Sequence, residues 1–241
     1  MQELSITNPF GGVVRYMPRT TSTMNAARES PSHGSVLVTS LQTSGRGRIS
    51  GRVWESPPDQ SLLFTLMIDR DTLNVPLTSV SIRTALAITR LLEKRFRLNA
   101  CIKWPNDVLV DGKKISGILC ETAGGYIGIG IGLNCRQKEF LSRYNTSATS
   151  VYRETGIECT PLSLLPGLLS SLWETLMRIN SSGLPSAADK HLCSFGKHME
   201  VREGDPRAEN VVKGVVAGIG EAGELRLRQK NGKIHPVYSG E

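Results

Sequence analysis

The residues best suited to chemistry stand between Gln42 and Trp54, in the run QTSGRGRISGRVW. Arg46, Arg48 and Arg52 alternate with Gly45, Gly47 and Gly51, and Trp54 closes the segment. A guanidinium is a planar, permanently charged fork that matches carboxylate and phosphate, while closely spaced glycines deny the backbone a stable helix or strand. The segment therefore reads as a mobile clamp for an anion. Gly-Arg runs also occur in disordered nucleic-acid-binding tracts. This one is short and lies between two apolar stretches of strand length, Val36 to Leu41 and Leu62 to Ile68, which predicts a loop held at both ends by a sheet.

A second candidate is the polar cluster ahead of Met24, Asn25, Ala26, Ala27 and Arg28, a short helix by composition. Ser22 and Thr23 could cap that helix, which the turn alone favours, or present hydroxyls and backbone N–H groups to a polar ligand. In Tyr126 to Asn134, YIGIGIGLN, Ile127, Ile129 and Ile131 fall on one face of a strand and Gly128, Gly130 and Gly132 on the other. A bare glycine face admits either a flat ligand or a closely packed helix, and the spacing does not choose. It is not a dinucleotide fingerprint, which needs other spacing and a following helix.

Positioning these segments requires mostly antiparallel strands, because the turns Asp111-Gly112 and Gly124-Gly125 are too short for parallel crossovers. Pro105 stops the strand that begins at Cys101; Lys103 and Asp107 beside it would on their own be a surface charge and a turn residue. Val80, Leu86, Ile88, Leu91, Leu92 and Phe96 form a helical stripe between Leu77 and Leu98, with Arg83, Arg90, Lys94 and Arg97 as a solvated face. A leucine-rich helix is expected over 161–179, started or kinked by Pro166-Gly167, after a polar irregular stretch from Asn134 to Cys159. From Gly196 the composition turns to short strands, Met199 to Arg202, Val211 to Ile219, Leu225 to Leu227 and Ile234 to Val237, which describe a small β-barrel.

The chain of 241 residues, 39% apolar, is long enough for one large domain with an appendage. Its 29 Lys and Arg against 22 Asp and Glu give +7, compatible with an anionic substrate, a nucleic acid or an acidic partner. Cys101, Cys120, Cys135, Cys159 and Cys193 are odd in number and widely spaced, fitting neither a disulfide framework nor a zinc site, so a reduced cytoplasmic protein is expected. The sequence shows neither a signal peptide nor an apolar run of membrane-spanning length.

Four segments in order, STMNAARE (Ser22 to Glu29), QTSGRGRISGRVW, KWPNDVLVDGKKISGIL (Lys103 to Leu119) and GIGIGLN (Gly128 to Asn134), resemble the biotin protein ligase family, also called biotin–[acetyl-CoA-carboxylase] ligase. The C-terminal runs KGVVAGIGEAGELRL and VYSGE are similar to that family's SH3-like domain. The resemblance implies an α/β (α+β) fold: a mixed, largely antiparallel sheet of the class II aminoacyl-tRNA-synthetase type over 1–190, and an SH3-like barrel over 191–241. It implies activation of biotin by ATP and Mg²⁺ to biotinyl-5′-AMP, and transfer to one lysine of a biotin carboxyl carrier domain.

By the same resemblance Ser22, Thr23, Met24, Gln42, Gly45, Gly47 and Gly117 would hold biotin. Arg46, Arg48, Lys114 and Asp107 would be the catalytic groups, the first three against the carboxylate and phosphate. Arg46, Arg48, Arg52, Trp54, Lys103, Asn106, Asp107 and Asn134 would hold the nucleotide, with Asp107 also near the metal. Two departures stand out: Ile49-Ser50 lengthens the loop by one residue, and Met24 replaces a common Asn. No helix-turn-helix domain is expected ahead of Val13, hence no DNA partner; a homodimer is left open. The alternatives are a lipoate or octanoate ligase of the same fold, which the GRGR loop and KKISGIL disfavour, and a basic nucleic-acid-binding protein, for which interleaved aromatics are lacking.

Overall fold

The computed structural model describes residues 1–141, 147–204 and 210–240; residues 142–146 of the stretch read as irregular, and Glu241 of VYSGE, lie outside the described residues. In chain order the first ten strands are β1 (Gln2–Leu4), β2 (Val14–Thr20), β3 (Val36–Gln42), β4 (Gly45–Arg46), β5 (Val53–Trp54), β6 (Ser61–Asp69), β7 (Ala100–Lys103), β8 (Asp107–Val110), β9 (Lys113–Ala123) and β10 (Tyr126–Asn134). Eight of them form one sheet in the order β1-β2-β3-β6-β10-β9-β8-β7. Among the described residues, β2–β3 is the one parallel pair of strands in that sheet. The Asp111-Gly112 turn has φ of 47° and 76°, the left-handed pair a two-residue hairpin needs.

The helices are α1 (Thr23–Arg28), α2 (Val80–Phe96), α3 (Val151–Thr155), α4 (Leu165–Trp173) and α5 (Leu184–Asp189). None among the described residues is long and apolar enough to cross a membrane. The two faces of the sheet are unlike. Ile127, Ile129 and Ile131 of β10 stand opposite Ile68, Leu66 and Phe64 of β6 and are buried in one core with α2 and α4. On the other face Gly128, Gly130 and Gly132 meet Met24 of α1 and the ring of Trp54. Fully burying each such Ile or Leu stabilises by roughly 1.5–3 kcal/mol, so the helix-backed face supplies the stability and the glycine face supplies room.

Three expectations are corrected. Arg83 is not on a solvated face but fully buried. Its Nε donates to Ser79 Oγ (2.9 Å), Nη1 to the carbonyls of Thr175 (2.8 Å) and Ile179 (2.7 Å), and Nη2 to that of Asn180 (3.3 Å). Burial pushes its pKa down to about 10, still charged at neutral pH. It satisfies the carbonyls left open where the helix after α4 loosens into a wide turn over Glu174–Arg178.

The cysteines are not all reduced: Cys101 on β7 is bonded to Cys193, 92 residues away, with Cα atoms 5.1 Å apart. The cause is a parallel bridge between Ile102 and Leu192 that lays residues 191–193 along the free edge of β7. Finally, the Gly-Arg segment is not strandless, as β4 and β5 pair Gly45 with Trp54 and Arg46 with Val53. Gly45 permits this, because a Cβ there would meet the Trp54 carbonyl at 2.5 Å.

The C-terminal strands β11 (His198–Arg202), β12 (Val211–Ile219), β13 (Leu225–Arg228) and β14 (Ile234–Val237) make an antiparallel meander. A bridge from Glu203 to Gly240 draws its ends together. It seats on the larger unit through Trp104 Nε1, just past β7, which donates to the Gly223 carbonyl at 3.1 Å, and Thr78 Oγ1, just before α2, which donates to that of Ala222 at 2.7 Å. Gly223 has φ of +82°, and a Cβ there would sit 2.7 Å from Ser79 Cα, so only glycine allows this contact.

Candidate active site

A cleft of about 660 Å³ opens on the glycine face of the sheet. At one end it is lined by Ser22, Thr23, Met24 and Gln42. Ser22 starts α1 without a side-chain cap. The Thr23 hydroxyl and N–H instead donate to Gln42 Oε1 at 3.1 and 2.8 Å, and Thr65 Oγ1 donates to Thr23 Oγ1 at 2.9 Å. The turn therefore builds a hydrogen-bonded polar end wall, fixed by a buried β6 threonine that sequence reasoning missed. Met24, buried, fills the space left by Gly128 and Gly130. The glycine face thus serves both readings: a short helix packs on its far half, and the cleft reaches Gly130 and Gly132.

The other end carries the charge. Register shifts between Val108 and Leu109, so that Asp107 stands opposite Gly117 while Leu109 stands opposite Lys114. That bulge brings Lys114 to the same face as Gly117, although the two are three positions apart and would face opposite ways on an unbroken strand. Lys114 Nζ lies 2.7 Å from Asp107 Oδ1 and 5.7 Å from the centre of the Trp54 ring. A Cβ at Gly117 would meet the Trp54 ring at 2.9 Å and Lys114 Nζ at 3.1 Å, so glycine makes room for both. The buried Trp54 Nε1–H has no hydrogen-bond partner among the described residues, a donor that a ligand acceptor could use.

Arg46 and Arg48 enter from the hairpin. Arg46 Nη2 donates to Asn25 Oδ1 (2.9 Å) and Glu121 Oε2 (3.0 Å), and Arg48 Nη2 donates to the Gly240 carbonyl (2.8 Å). Ile49-Ser50 sits at the hairpin tip, where Arg52 N–H donates to the Ile49 carbonyl at 3.0 Å. Gly47, Arg52, Lys103 and Asn106 also line the cleft, as do Met199 and Val201 of the C-terminal sheet, which the sequence did not mark.

Two residues expected here are placed elsewhere. Gly45 shapes the hairpin stem and does not line the cleft. Asn134 is buried behind it, where its Nδ2 donates to the Thr149 carbonyl (2.9 Å) and its Oδ1 accepts from Ser61 Oγ (3.2 Å) and Gln137 Nε2 (3.1 Å). Those partners come from β6 and from beyond β10, so Asn134 braces the sheet end. Asp107 as a metal ligand is also at odds with the geometry: its carboxylate is paired with Lys114, and no group of three or more His, Cys, Asp or Glu among the described residues could hold a metal.

Comparison with known proteins bears on what this cleft holds. The model of the biotin/lipoate A/B protein ligase family matches residues 16–137, the span that contains α1, the hairpin, Lys114 and β10. The chain belongs to the biotin/lipoate A/B protein ligase family. Among solved structures of the family, a biotin protein ligase from Aquifex aeolicus in complex with biotin and ATP superposes with a TM-score of 0.84 at 26% identity. That match covers 95% of this chain and 96% of that one.

Among family members known by sequence, the bifunctional ligase/repressor BirA of Bacillus spizizenii is 26% identical over 249 residues, 98% of this chain and 75% of that protein. The biotin–[acetyl-CoA-carboxylase] ligase of Mycobacterium tuberculosis is 28% identical over 201 residues, 80% of this chain and 73% of that protein. The mixed, largely antiparallel fold with its small C-terminal β unit matches the solved Aquifex aeolicus ligase.

Proposed function

We infer that the protein activates biotin with ATP to biotinyl-5′-AMP and passes the biotinyl group to a lysine of a biotin carboxyl carrier domain. The observation that carries this reading is the convergence of Lys114, Arg46 and Arg48 on one cleft whose far end is the Thr23–Gln42–Thr65 polar wall. The cleft thus offers hydrogen-bonding groups to a polar ring head at one end and the Lys114 cation to a carboxylate and phosphate at the other, with Arg46 held beside α1 by Asn25 and Glu121 within the same cleft. The similarity to an Aquifex aeolicus ligase solved with biotin and ATP supports the same assignment.

The chemistry explains the residue types. Joining a carboxylate to an α-phosphate brings two anions together, and in-line displacement spreads further charge onto the departing pyrophosphate. Lys114, fixed by Asp107 and the Trp54 ring, is a cation already in place, and Arg46 and Arg48 add two more from the hairpin. Preorganised donors of this kind contribute about 2.7–4 kcal/mol each to the transition state in a studied enzyme. Biotin's own carboxylate attacks, so no side-chain nucleophile is needed. ATP enters with its Mg²⁺ as part of the substrate.

The acyl phosphate hydrolyses readily, and the hairpin with Trp54 is placed to exclude water over it. In the second step the acceptor lysine attacks the acyl carbon and AMP leaves; Asp107 is the carboxylate nearest Lys114 that can take the lysine's proton. Residues 1–190, with 191–193 laid along the edge of β7, then form the catalytic unit, and the strands from His198 onward an appended unit whose Met199 and Val201 close the cleft.

Biotin-dependent exchange of pyrophosphate into ATP, and biotin attached to a carrier-domain lysine by mass spectrometry, are the expected results. Attachment of lipoate with no attachment of biotin overturns the assignment in favour of a lipoate ligase.

A further inference from the structure

We propose that Glu121 is a positioning residue that holds Arg46 aside until an anionic ligand displaces it, with Arg28 as the partner that keeps the carboxylate compensated. This rests on the reading of Arg46 as a phosphate contact. Glu121 is on β9 opposite Gly128, two and four residues beyond Leu119 and Gly117, which line the cleft. All three therefore share the cleft face, with Glu121 at its rim. One oxygen, Oε2, accepts from Arg46 Nη2 at 3.0 Å and from Arg28 Nη1 at 2.8 Å. Arg28 is further tied by Nη2 to the Thr122 carbonyl at 3.0 Å, whereas the second bond of Arg46 Nη2 goes to Asn25 Oδ1 at 2.9 Å.

The two cations are therefore not equivalent. Arg28 belongs to α1 and is bonded to the strand itself. Arg46 belongs to the hairpin and lines the cleft, so its charge can be exchanged between Glu121 and a ligand anion. When Arg46 turns to the ligand, Glu121 keeps Arg28, and the partly buried carboxylate is not left bare. That retained pair removes most of the cost that breaking a shielded ion pair carries. Glu121 competes with the ligand for Arg46, and so it sets how tightly the clamp grips an anion.

The test is direct binding of inorganic pyrophosphate by calorimetry, which needs no turnover and no knowledge of the acyl substrate. Glu121→Gln keeps the shape and one acceptor for Arg28 but weakens the hold on Arg46, and should bind pyrophosphate about three- to tenfold more tightly. Asn25→Ala, at a more exposed and uncharged partner, should give a smaller gain in the same direction and serves if Glu121→Gln does not fold. Both gains should vanish in an Arg46→Ala background. A side chain of merely structural importance would weaken binding when changed, not tighten it.

Unchanged or weaker binding in the variants, a gain that survives Arg46→Ala, or no binding to any form overturns the proposal. Loss of biotin-dependent exchange in the wild type would instead overturn the functional reading and leave the binding result standing.

Discussion

The two faces of β10 put a strand of alternating Ile and Gly to opposite uses. On one face Ile127, Ile129 and Ile131 are packed into the core beneath α2 and α4. On the other, three glycines leave space that Met24, Trp54 and the cleft share. The difference is that stability is bought with side-chain volume on one side, and access with its absence on the other. A residue's contribution to folding and its contribution to chemistry should therefore separate by face.

Three substitutions can break or sharpen that separation. Ile129→Ala on the core face should lower stability by about 2–5 kcal/mol, read from the denaturant midpoint, while the folded fraction keeps its substrate KM. On the cleft face Lys114→Ala should slow pyrophosphate exchange by about 10²–10³-fold, with the melting temperature nearly unchanged, because the charge is lost where it develops in the transition state. Gly132→Ala adds one methyl group 2.5 Å from the Trp54 ring. It should shift the ring and cost about tenfold in kcat/KM, with at most a small loss of stability. If Gly132→Ala lowers the melting temperature as much as Ile129→Ala does, the division between the faces is wrong.

How much of this was legible follows the range of the interactions. Strand alternation, the Asp111-Gly112 turn and the grouping of Arg46, Arg48 and Lys114 by motif all rest on local pattern, and the structure brings those residues to one cleft. Arg83 was not legible as a buried residue, because three of its four partners are carbonyls 92 to 97 positions away, and the fourth, Ser79, is a local hydroxyl that by itself gives no sign of burial. The same holds for Cys101 and Cys193, which are brought together by a bridge between their neighbours.

Glu121 could have been found. It lies on the same alternation as Gly117 and Leu119, and a carboxylate on a face otherwise suited to anions is a signal. Asn134 was misplaced because motif order gives no direction for a side chain at a strand end, where Ser61 and Gln137 claim it.

The paired stems of the Gly-Arg hairpin have a thermodynamic meaning for affinity. Fixing a residue's backbone costs roughly 1–2 kcal/mol in conformational entropy. Gly45, Arg46, Val53 and Trp54 already have strand partners before any ligand arrives, and Gly47 N–H donates to the Arg52 carbonyl at 2.8 Å. The ordering charged against ligand binding is then confined to the tip around Ile49 and Ser50. Ile49 and Ser50 stand at that tip, and lengthening a loop by a single residue adds only a few tenths of a kcal/mol to its closure.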